Sequence, residues 1–273
     1  VDRKILCLPS ATFIRLIILY PTFFTENPFM AAIRKPIIGA SRDEALDKTV
    51  EVFLSKLRSL THWQGQRLLD VGCGDGTFTL RLGDNFSDVY GIDVQDHYLT
   101  KFRESASGRS NYSIMHMSAS KMEFPDEFFD KVVTLETLEH VDNLQTTAAE
   151  IIRVTKHGGE IIISVPNRLF PCENHGADVG RISFNRAMLL TYFPSLHKKY
   201  SRARAFLVRD LDSIFIPLGA KRVGLDYLWP TFEHGGNKLQ WLLKPFFSVM
   251  RACEKSPMAI RMFGTSILLK YRK

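Results

Sequence analysis

Carboxylates and glycines alternate in one short stretch of the chain, RLLDVGCGDGTFTLRL at residues 67–82. Gly72, Gly74 and Gly76 follow an apolar run that ends at Asp70. A glycine loop between a strand and a helix is typical of nucleotide sites, because backbone without side chains can approach a ligand closely. The sequence therefore predicts a nucleotide or nucleoside ligand at this loop.

The carboxylates distinguish between two kinds of ligand. A dinucleotide presents a diphosphate, which favours backbone N–H groups and a third glycine where Thr77 stands, and Asp70 and Asp75 would repel it. S-adenosylmethionine instead has a cationic methionyl end, which Asp70 would attract. Its ribose hydroxyls would donate to Asp93, which follows Gly76 by 17 residues. The residues therefore favour S-adenosylmethionine as the cofactor.

A second group of reactive residues lies in PCENHG, residues 171–176. Glu173 and His175 follow the fifth predicted strand, where they would lie above a transferred methyl group. An OH, NH or CH acceptor needs a base, and a histidine near its ordinary pKa of about 6.5 suits that role. Both residues are candidate catalytic groups, and contact with substrate or with a lid is the alternative.

Strands and helices alternate five times between residues 67 and 166. The predicted strands are 67–72, 88–94, 112–119, a run starting at 129, and 160–167, and the predicted helices are 42–60, 77–84, 95–107 and 143–159. This alternation implies βαβ units, a parallel sheet and a ligand beyond the carboxyl ends of the strands. The glycine loop, Asp93 and residues 135–136 all fall at those ends.

Two stretches interrupt the regular pattern in the second half of the chain. They are residues 168–204 and 231–262, and the elements around them are a helix at 206–219 and strands at 221–229 and 265–273. We interpret the two stretches as inserts that form a substrate cap on a domain of residues 42–273. No internal repeat accompanies them.

Residues 1–41 are expected to form an N-terminal helical extension. Their apolar run, ATFIRLIILYPTFF, is short for a bilayer span and is interrupted by Arg15 and Pro21. Packing on the domain and contact with a membrane surface are both consistent with this pattern.

Positive charge is concentrated in the last part of the chain. The net charge is +7, and residues 197–273 hold 15 basic and 5 acidic residues, a difference of +10. This asymmetry favours an anionic partner or a solvated basic face. The segment KLQWLLKPFFSVMRA, residues 238–252, predicts either an interfacial helix on anionic lipid or a cover for the sheet.

The spacing of the cysteines indicates no disulfide framework. Cys7, Cys73, Cys172 and Cys253 are scattered without a CxxC pair, so the sequence predicts neither disulfides nor a zinc site. We therefore expect a reducing, cytoplasmic location, with peripheral membrane contact as an addition to it, and we assign no metal ligands from the sequence.

Four segments together resemble the class I S-adenosylmethionine-dependent methyltransferases. They are LLDVGCGDGTFT, GIDV, FPDEFFDKVVTLETLEHV and HGGEIIISVPN, and they look most like the branch of the ubiquinone and menaquinone biosynthesis methylases. The resemblance covers residues 65–167. It implies an α/β, Rossmann-like fold with a seven-stranded, mostly parallel sheet whose last strand is antiparallel.

The resemblance also assigns roles to individual positions. The matched cofactor-binding positions are Asp70, Gly72, Cys73, Gly74, Gly76, Asp93, Val94, Ser118, Ala119, Leu135 and Glu136. Asp93 would bind the ribose and Val94 would pack on the adenine. Ser118 stands where the family often has an acid that binds the adenine amino group. His140, in LEHV, matches a family signature that is structural or catalytic.

The motifs specify the cofactor more closely than the acceptor. We expect transfer by direct displacement to a small-molecule or lipid-linked acceptor, most readily at oxygen. A specific nucleic-acid partner is not expected, because the chain reads TLETLEHV after the fourth strand rather than an NPPY-type motif. A non-catalytic methyltransferase-like scaffold and a nicotinamide-dependent oxidoreductase stay open as alternatives.

Overall fold

The computed structural model describes residues 40–173, 175–179, 182–184, 187–229, 252 and 256–273. Nearly all of the expected N-terminal extension and of KLQWLLKPFFSVMRA lies outside these residues. Among the helices that the structure describes, none combines the length and the hydropathy needed to cross a bilayer.

The described elements follow the predicted alternation. The helices are α1 Ala40–Leu60, α2 Thr79–Leu82, α3 Asp96–Ser105, α4 Leu144–Val154, α5 Pro194–Tyr200, α6 Val208–Phe215 and α7 Met258–Arg261. The main strands are β1 Gly65–Val71, β2 Phe86–Asp93, β3 Tyr112–His116, β4 Phe129–Leu135, β5 Thr155–Pro166, β10 Lys221–Leu228 and β11 Ser266–Arg272. The short strands are β6 Cys172–Glu173, β7 Ala177–Val179, β8 Ile182–Phe184 and β9 Ala187–Met188.

The main strands form one seven-stranded sheet in the order β10-β11-β5-β4-β1-β2-β3. β1 pairs in parallel with β2 and β4, β2 with β3, and β4 with β5, whereas β11 is antiparallel to both β5 and β10. The predicted fold class is therefore confirmed. The chain leaves β1 towards β2 on one side and returns to β4 on the other, so a ligand crevice opens beyond β1.

Alternating side chains of the central strands bury both faces of the sheet. Leu68, Val133 and Ile162 pack with α1, whose Phe53, Leu54 and Leu57 are fully buried. Their neighbours Leu69, Val132 and Ile161 point to the other face and pack with α4 and α6. Because successive side chains in a strand point to opposite faces, near-continuous apolar runs are what a sheet covered on both sides requires.

Two predicted helices end earlier than expected. The helix predicted at 77–84 is only the single turn of α2, because Gly83 opens a 3₁₀ turn and β2 begins at the buried Phe86. The helix predicted to stop at Gly158–Gly159 ends at Val154, because Thr155 adopts extended backbone and starts β5. Gly158 has a φ of 76° and lies in an irregular part of β5.

The first insert folds over the carboxyl ends of the strands. β6 pairs with β9, and β7 pairs with β8. Arg204 joins this cap to the loop after β4, because its backbone N–H donates to Glu139 O at 3.3 Å and its guanidinium donates to Val141 O. Asn167, at the end of β5, donates through Nδ2 to Met262 O and Gly264 O at 2.8 and 2.7 Å.

Candidate active site

The glycine loop is fastened to the end of β2. The N–H groups of Gly72 and Cys73 both donate to Ile92 O, at 2.8 and 3.0 Å. Gly72, Gly74 and Gly76 have φ values of 77°, 54° and 79°, in the left-handed region that favours glycine. The loop therefore depends on glycine for its backbone conformation.

The three glycines differ in what surrounds them. A Cβ on Gly72 would lie 2.3 Å from the Thr137 side chain, and one on Gly76 would lie 2.1 Å from the Phe102 ring. A Cβ on Gly74 would meet no atom within 4 Å. Two of the glycines therefore admit the protein's own side chains, and Gly74 is the one that faces open space where a ligand fits.

Asp93 lies at the edge of that space. Its Oδ2 accepts a hydrogen bond from the Gly74 N–H at 3.0 Å, and its Oδ1 accepts one from the Gln95 N–H at 2.9 Å. Each carboxylate oxygen has two lone pairs, so one on each oxygen stays available to a ligand. This arrangement suits the predicted binding of a ribose diol.

Asp70 is buried under the loop, with 2% of its surface exposed. Its carboxylate accepts a hydrogen bond from Thr79 Oγ1 at 2.5 Å. Burial and the nearby Asp93 carboxylate raise the pKa of Asp70 to about 7, although the hydrogen bond from Thr79 opposes them. Attraction of a cationic ligand stays a prediction for Asp70. Because the carboxylate is buried, it would attract the cation by long-range electrostatics rather than by direct contact.

Cys73 belongs to the loop through its backbone only. Its side chain packs with Leu99 and Phe102 and is 8% exposed. Burial, with the carboxylates of Asp70 and Asp93, raises the pKa of the thiol above its ordinary range. The thiol is thus protonated and points into the core, so a cofactor contact from this side chain is not supported.

The residues predicted around the adenine lie at the ends of β2 and β3. Val94 is 57% exposed, as expected of a side chain that a ring could cover. Ser118 is exposed and its Oγ lies 3.0 Å from Ser120 Oγ, whereas Ala119 packs against the core. Met117 N–H donates to Asp93 O at 3.0 Å, which brings this segment beside the ribose-binding position.

Leu135 and Glu136 end β4 on the other side of the crevice. Glu136 has a φ of 51°, which is rare for a residue with a Cβ. Its N–H donates to Ser164 O at 2.9 Å, and its carboxylate accepts from Ser164 Oγ at 2.5 Å. Burial, and next the Glu139 carboxylate, raise the pKa of Glu136 to about 7.

The cap brings the predicted catalytic residues together. His175 Nδ1 lies 3.4 Å from Glu173 Oε1, and His175 Nε2 lies 3.5 Å from Glu139 Oε1. The ring centroids of His140 and His175 are 5.5 Å apart. Glu173 also bonds to His197 Nε2 on α5. The sequence therefore identified three members of one cluster.

The charges in this cluster bear on the predicted base chemistry, which stays a prediction. Burial alone would lower the pKa of His175, but pairing with Glu139 and Glu173 outweighs it and raises the pKa to about 9. Burial alone would raise the pKa of Glu173, but hydrogen bonds from His175 and His197 lower it to about 2. Without a ligand, His175 is protonated at neutral pH and Glu173 is a weak base, so neither suits proton removal.

Sequence reasoning missed Glu139 and His197 in this cluster. Glu139 precedes His140 directly, and LEHV was the signal that could have identified it. His197 lies on α5, and only the fold of the cap places it against Glu173.

A separate cavity of about 590 Å³ lies at the amino ends of the central strands. Lys131 and Glu160 line it, and Lys131 Nζ donates to Glu160 Oε2 at 2.6 Å. Lys270 Nζ lies 2.6 Å from Glu160 Oε1. Glu160 is thus paired with two lysines, and the cavity lies at the opposite edge from the glycine loop, so it is not the candidate active site.

Comparisons with known proteins show which proteins this chain resembles. Residues 69–163 match the methyltransferase domain family. An O-methyltransferase of Aspergillus nomiae is 29% identical over 137 residues, 46% of this chain and 60% of that protein. The ubiquinone biosynthesis O-methyltransferase of Dechloromonas aromatica is 34% identical over 107 residues, 38% of this chain and 46% of that protein. The matches therefore span less than two thirds of either relative.

Solved structures share the fold. The S-adenosylmethionine-dependent methyltransferase from Mesorhizobium loti superposes with a TM-score of 0.58 at 18% identity, covering 81% of this chain and 98% of that one. The sheet order and the glycine loop define a class I methyltransferase fold. The chain accordingly has the fold of the class I S-adenosylmethionine-dependent methyltransferases, as the sequence predicted, and its residues 69–163 resemble the methyltransferase domain family.

Proposed function

We propose that this protein transfers a methyl group from S-adenosylmethionine to an oxygen atom of a small-molecule or lipid-linked acceptor. The observation that carries the proposal is the open space at Gly74 beside the Asp93 carboxylate, at the point where the sheet order reverses. A ligand with a ribose diol and no diphosphate fits this combination of bare backbone and negative charge.

The described residues account for each part of the cofactor. Asp93 binds the ribose hydroxyls, Val94 covers the adenine, and Gly74 lets the ligand approach the backbone of the loop closely. Bound S-adenosylmethionine supplies an electrophilic methyl group, so the protein's main task is to align the acceptor with it. Leu135 and Glu136 border the crevice from β4 and contact the acceptor side.

Glu136 is the proton acceptor in this proposal. An acceptor hydroxyl that receives a methyl group loses one proton, and a carboxylate with a pKa near 7 takes it up at neutral pH. Glu136 replaces Glu173 and His175, whose pKa values are about 2 and 9. The catalytic role of His140 stays a prediction that an Asn substitution tests separately.

A lipid-linked or lipid-soluble acceptor is supported by the outer surface of the cap. Leu189, Tyr192 and Phe193 are 46%, 42% and 38% exposed. Lys198 and Lys199 are exposed on the adjoining helix α5. Apolar side chains flanked by lysines suit contact with an anionic lipid surface.

Calorimetric titration with S-adenosylmethionine, S-adenosylhomocysteine and reduced nicotinamide dinucleotide tests the cofactor. The proposal requires saturable binding of the first two and none of the third. Asp93→Ala removes the proposed ribose contact. Asp88→Ala is the matched control on the same strand, because Asp88 forms a partly exposed ion pair with Arg67 at 3.6 Å. Equal affinity in the two variants would refute the assignment of Asp93.

Turnover tests the other half of the proposal. Formation of S-adenosylhomocysteine is followed with hydroquinones, phenolic lipids and lipid-linked sugars as acceptors. Cofactor binding without turnover on any acceptor would favour the scaffold alternative over the enzyme.

A further inference from the structure

A cluster of potential metal ligands, two of them buried, joins the loop after β4 to the cap. Glu139, His140 and His175 each offer one ligand atom, and these atoms all lie within 4.8 Å of one another. Glu139 lies in the loop after β4, three residues after Glu136. His175 lies in the cap, between β6 and β7. The cluster therefore forms only when the cap is folded onto the domain.

Glu139 and His175 leave polar atoms unsatisfied in this cluster. Glu139 is 3% exposed, yet among the described residues neither of its carboxylate oxygens receives a hydrogen bond. His175 is 6% exposed, and its Nε2 likewise has no hydrogen-bond partner there. Buried polar groups are nearly always hydrogen-bonded, and a buried carboxylate that accepts no hydrogen bond is costly even beside a charged partner. A cation between these atoms would satisfy both.

The distances suit a small tetrahedral ion. Glu139 Oε1 lies 3.5 Å from His175 Nε2 and 3.8 Å from His140 Nε2. Zinc bonds to nitrogen and carboxylate oxygen of about 2.0–2.2 Å place tetrahedral ligand atoms about 3.4 Å apart. The two distances to Glu139 exceed this value by only a few tenths of an ångström, and the ligand atoms of His140 and His175 lie within 4.8 Å of each other.

A supporting carboxylate stands behind the histidine from the cap. His175 Nδ1 lies 3.4 Å from Glu173 Oε1, and the backbone N–H of His175 donates to the same oxygen at 2.8 Å. Histidines that bind metals through Nε2 usually donate their other N–H to a carboxylate, which fixes the ring. Glu173 is in turn held by His197 on α5. These successive contacts orient His175 Nε2 towards Glu139.

We propose that Glu139, His140 and His175 bind a divalent transition-metal ion of the zinc class. Two imidazoles and one carboxylate are typical zinc ligands, whereas magnesium and calcium prefer oxygen ligands throughout. Glu173 is a positioning residue for this site. The ion fastens the cap to the domain, and three protein ligands leave a fourth position open towards solvent at His140, whose side chain is 35% exposed.

This site goes beyond the proposed function and does not depend on it. It goes beyond the sequence analysis, which assigned no metal ligands because the cysteine spacing predicts no zinc site.

Metal binding is measured on protein without a histidine tag, after dialysis against a chelator. Titration with Zn²⁺ is expected to show one saturable site by calorimetry, and Co²⁺ is expected to give the intense visible absorption of a tetrahedral ion. Mg²⁺ at the same concentration is expected to give neither. These readouts require no methyl acceptor.

Variants separate this site from adventitious binding. Glu139→Gln and His140→Asn are expected to weaken Zn²⁺ binding at least 100-fold, and Glu173→Gln about 10- to 100-fold. The matched control is His116→Asn, which removes an exposed histidine paired with Asp96 at 2.7 Å and is expected to change nothing. Because His140 is partly exposed, His140→Asn keeps the test valid if Glu139→Gln fails to fold.

Two results would overturn the proposal. One is the lack of a saturable zinc site in the wild-type protein, and the other is equal zinc affinity in His140→Asn and His116→Asn. Either would leave Glu139 and His175 as a plain buried ion pair.

Discussion

The carboxylate of Asp93 accepts a hydrogen bond from the backbone N–H of Gly74 at 3.0 Å, across the gap between β2 and the glycine loop. One residue thereby holds the loop and presents its remaining lone pairs to the same open space. Because the carboxylate is already oriented by Gly74 and Gln95, little conformational entropy is lost when a ligand binds to it.

Asp93→Asn should weaken binding of S-adenosylhomocysteine by about 10- to 100-fold, because hydrogen bonds to a charged group contribute about 1.5–3 kcal/mol. An analogue that lacks the ribose 2′-hydroxyl should lose affinity for the wild-type protein and little for the variant. Calorimetry of the two proteins with the two ligands forms a double-mutant cycle. Additive losses would show that Asp93 does not contact the ribose.

The glycines of the loop should separate folding from binding. Gly76→Ala places a Cβ 2.1 Å from the Phe102 ring, so it should lower the free energy of unfolding by more than about 2 kcal/mol. Gly74→Ala meets no atom within 4 Å and should cost only the strain of its left-handed backbone, about 1–2 kcal/mol. For the stability that each variant loses, the loss of cofactor affinity should nevertheless be larger in Gly74→Ala than in Gly76→Ala. Thermal melts and titrations of both variants measure the contrast.

Cofactor binding should depend on pH through Asp70. The folded carboxyl has a pKa of about 7 and only its ionised form attracts a cation, so the apparent affinity for S-adenosylmethionine should rise about tenfold from pH 6 to pH 8. Asp70→Asn should abolish this slope. Titrations at both pH values decide, and a slope that persists in the variant would exclude Asp70 as its source.

The stability of the ligand-free protein checks the same group. Because the folded pKa of Asp70 lies above the unfolded value of 3.8, the unfolded chain ionises first as the pH rises. Stability due to this group is present below about pH 4 and is lost towards pH 7. Asp70→Asn should therefore be less pH-dependent in urea denaturation across this range.

Glu136→Gln should lower kcat by at least about 100-fold, because it removes the proposed proton acceptor. The Kd for S-adenosylmethionine should stay within about threefold of the wild-type value. His140→Asn, assayed with the same acceptor, tests the competing assignment. If kcat fell in His140→Asn and not in Glu136→Gln, the proton acceptor would be His140 or a group beside it.

The sequence predicted the fold well because the apolar runs of a doubly covered sheet are nearly continuous. Leu68–Leu69, Val132–Val133 and Ile161–Ile162 each fill both faces, and this pattern is local. The ends of helices were less predictable. Gly158 suggested a helix stop but lies within β5, because pairing with β4 and β11 outweighs the local glycine signal.

The sequence could name residues of the candidate site, but it could not predict which of them contact one another or their neighbours. The sequence identified Gly72 and Gly76 as cofactor glycines, but the neighbours that require them, Thr137 and Phe102, are distant in the chain. Similarly, His175 has the residue type of a base, yet Glu139 and Glu173 hold it protonated. Such shifts arise from contacts between the cap and the domain, which periodicity does not encode.

Transfer of an isotopically labelled methyl group tests the central claim most directly. The protein is incubated with S-adenosylmethionine labelled in the methyl group and with the panel of hydroquinones, phenolic lipids and lipid-linked sugars, and the products are analysed by mass spectrometry. The account predicts label in one acceptor at oxygen, with Asp88→Ala active and Asp93→Ala strongly impaired. Label in no acceptor, from a protein that binds the cofactor, would contradict it.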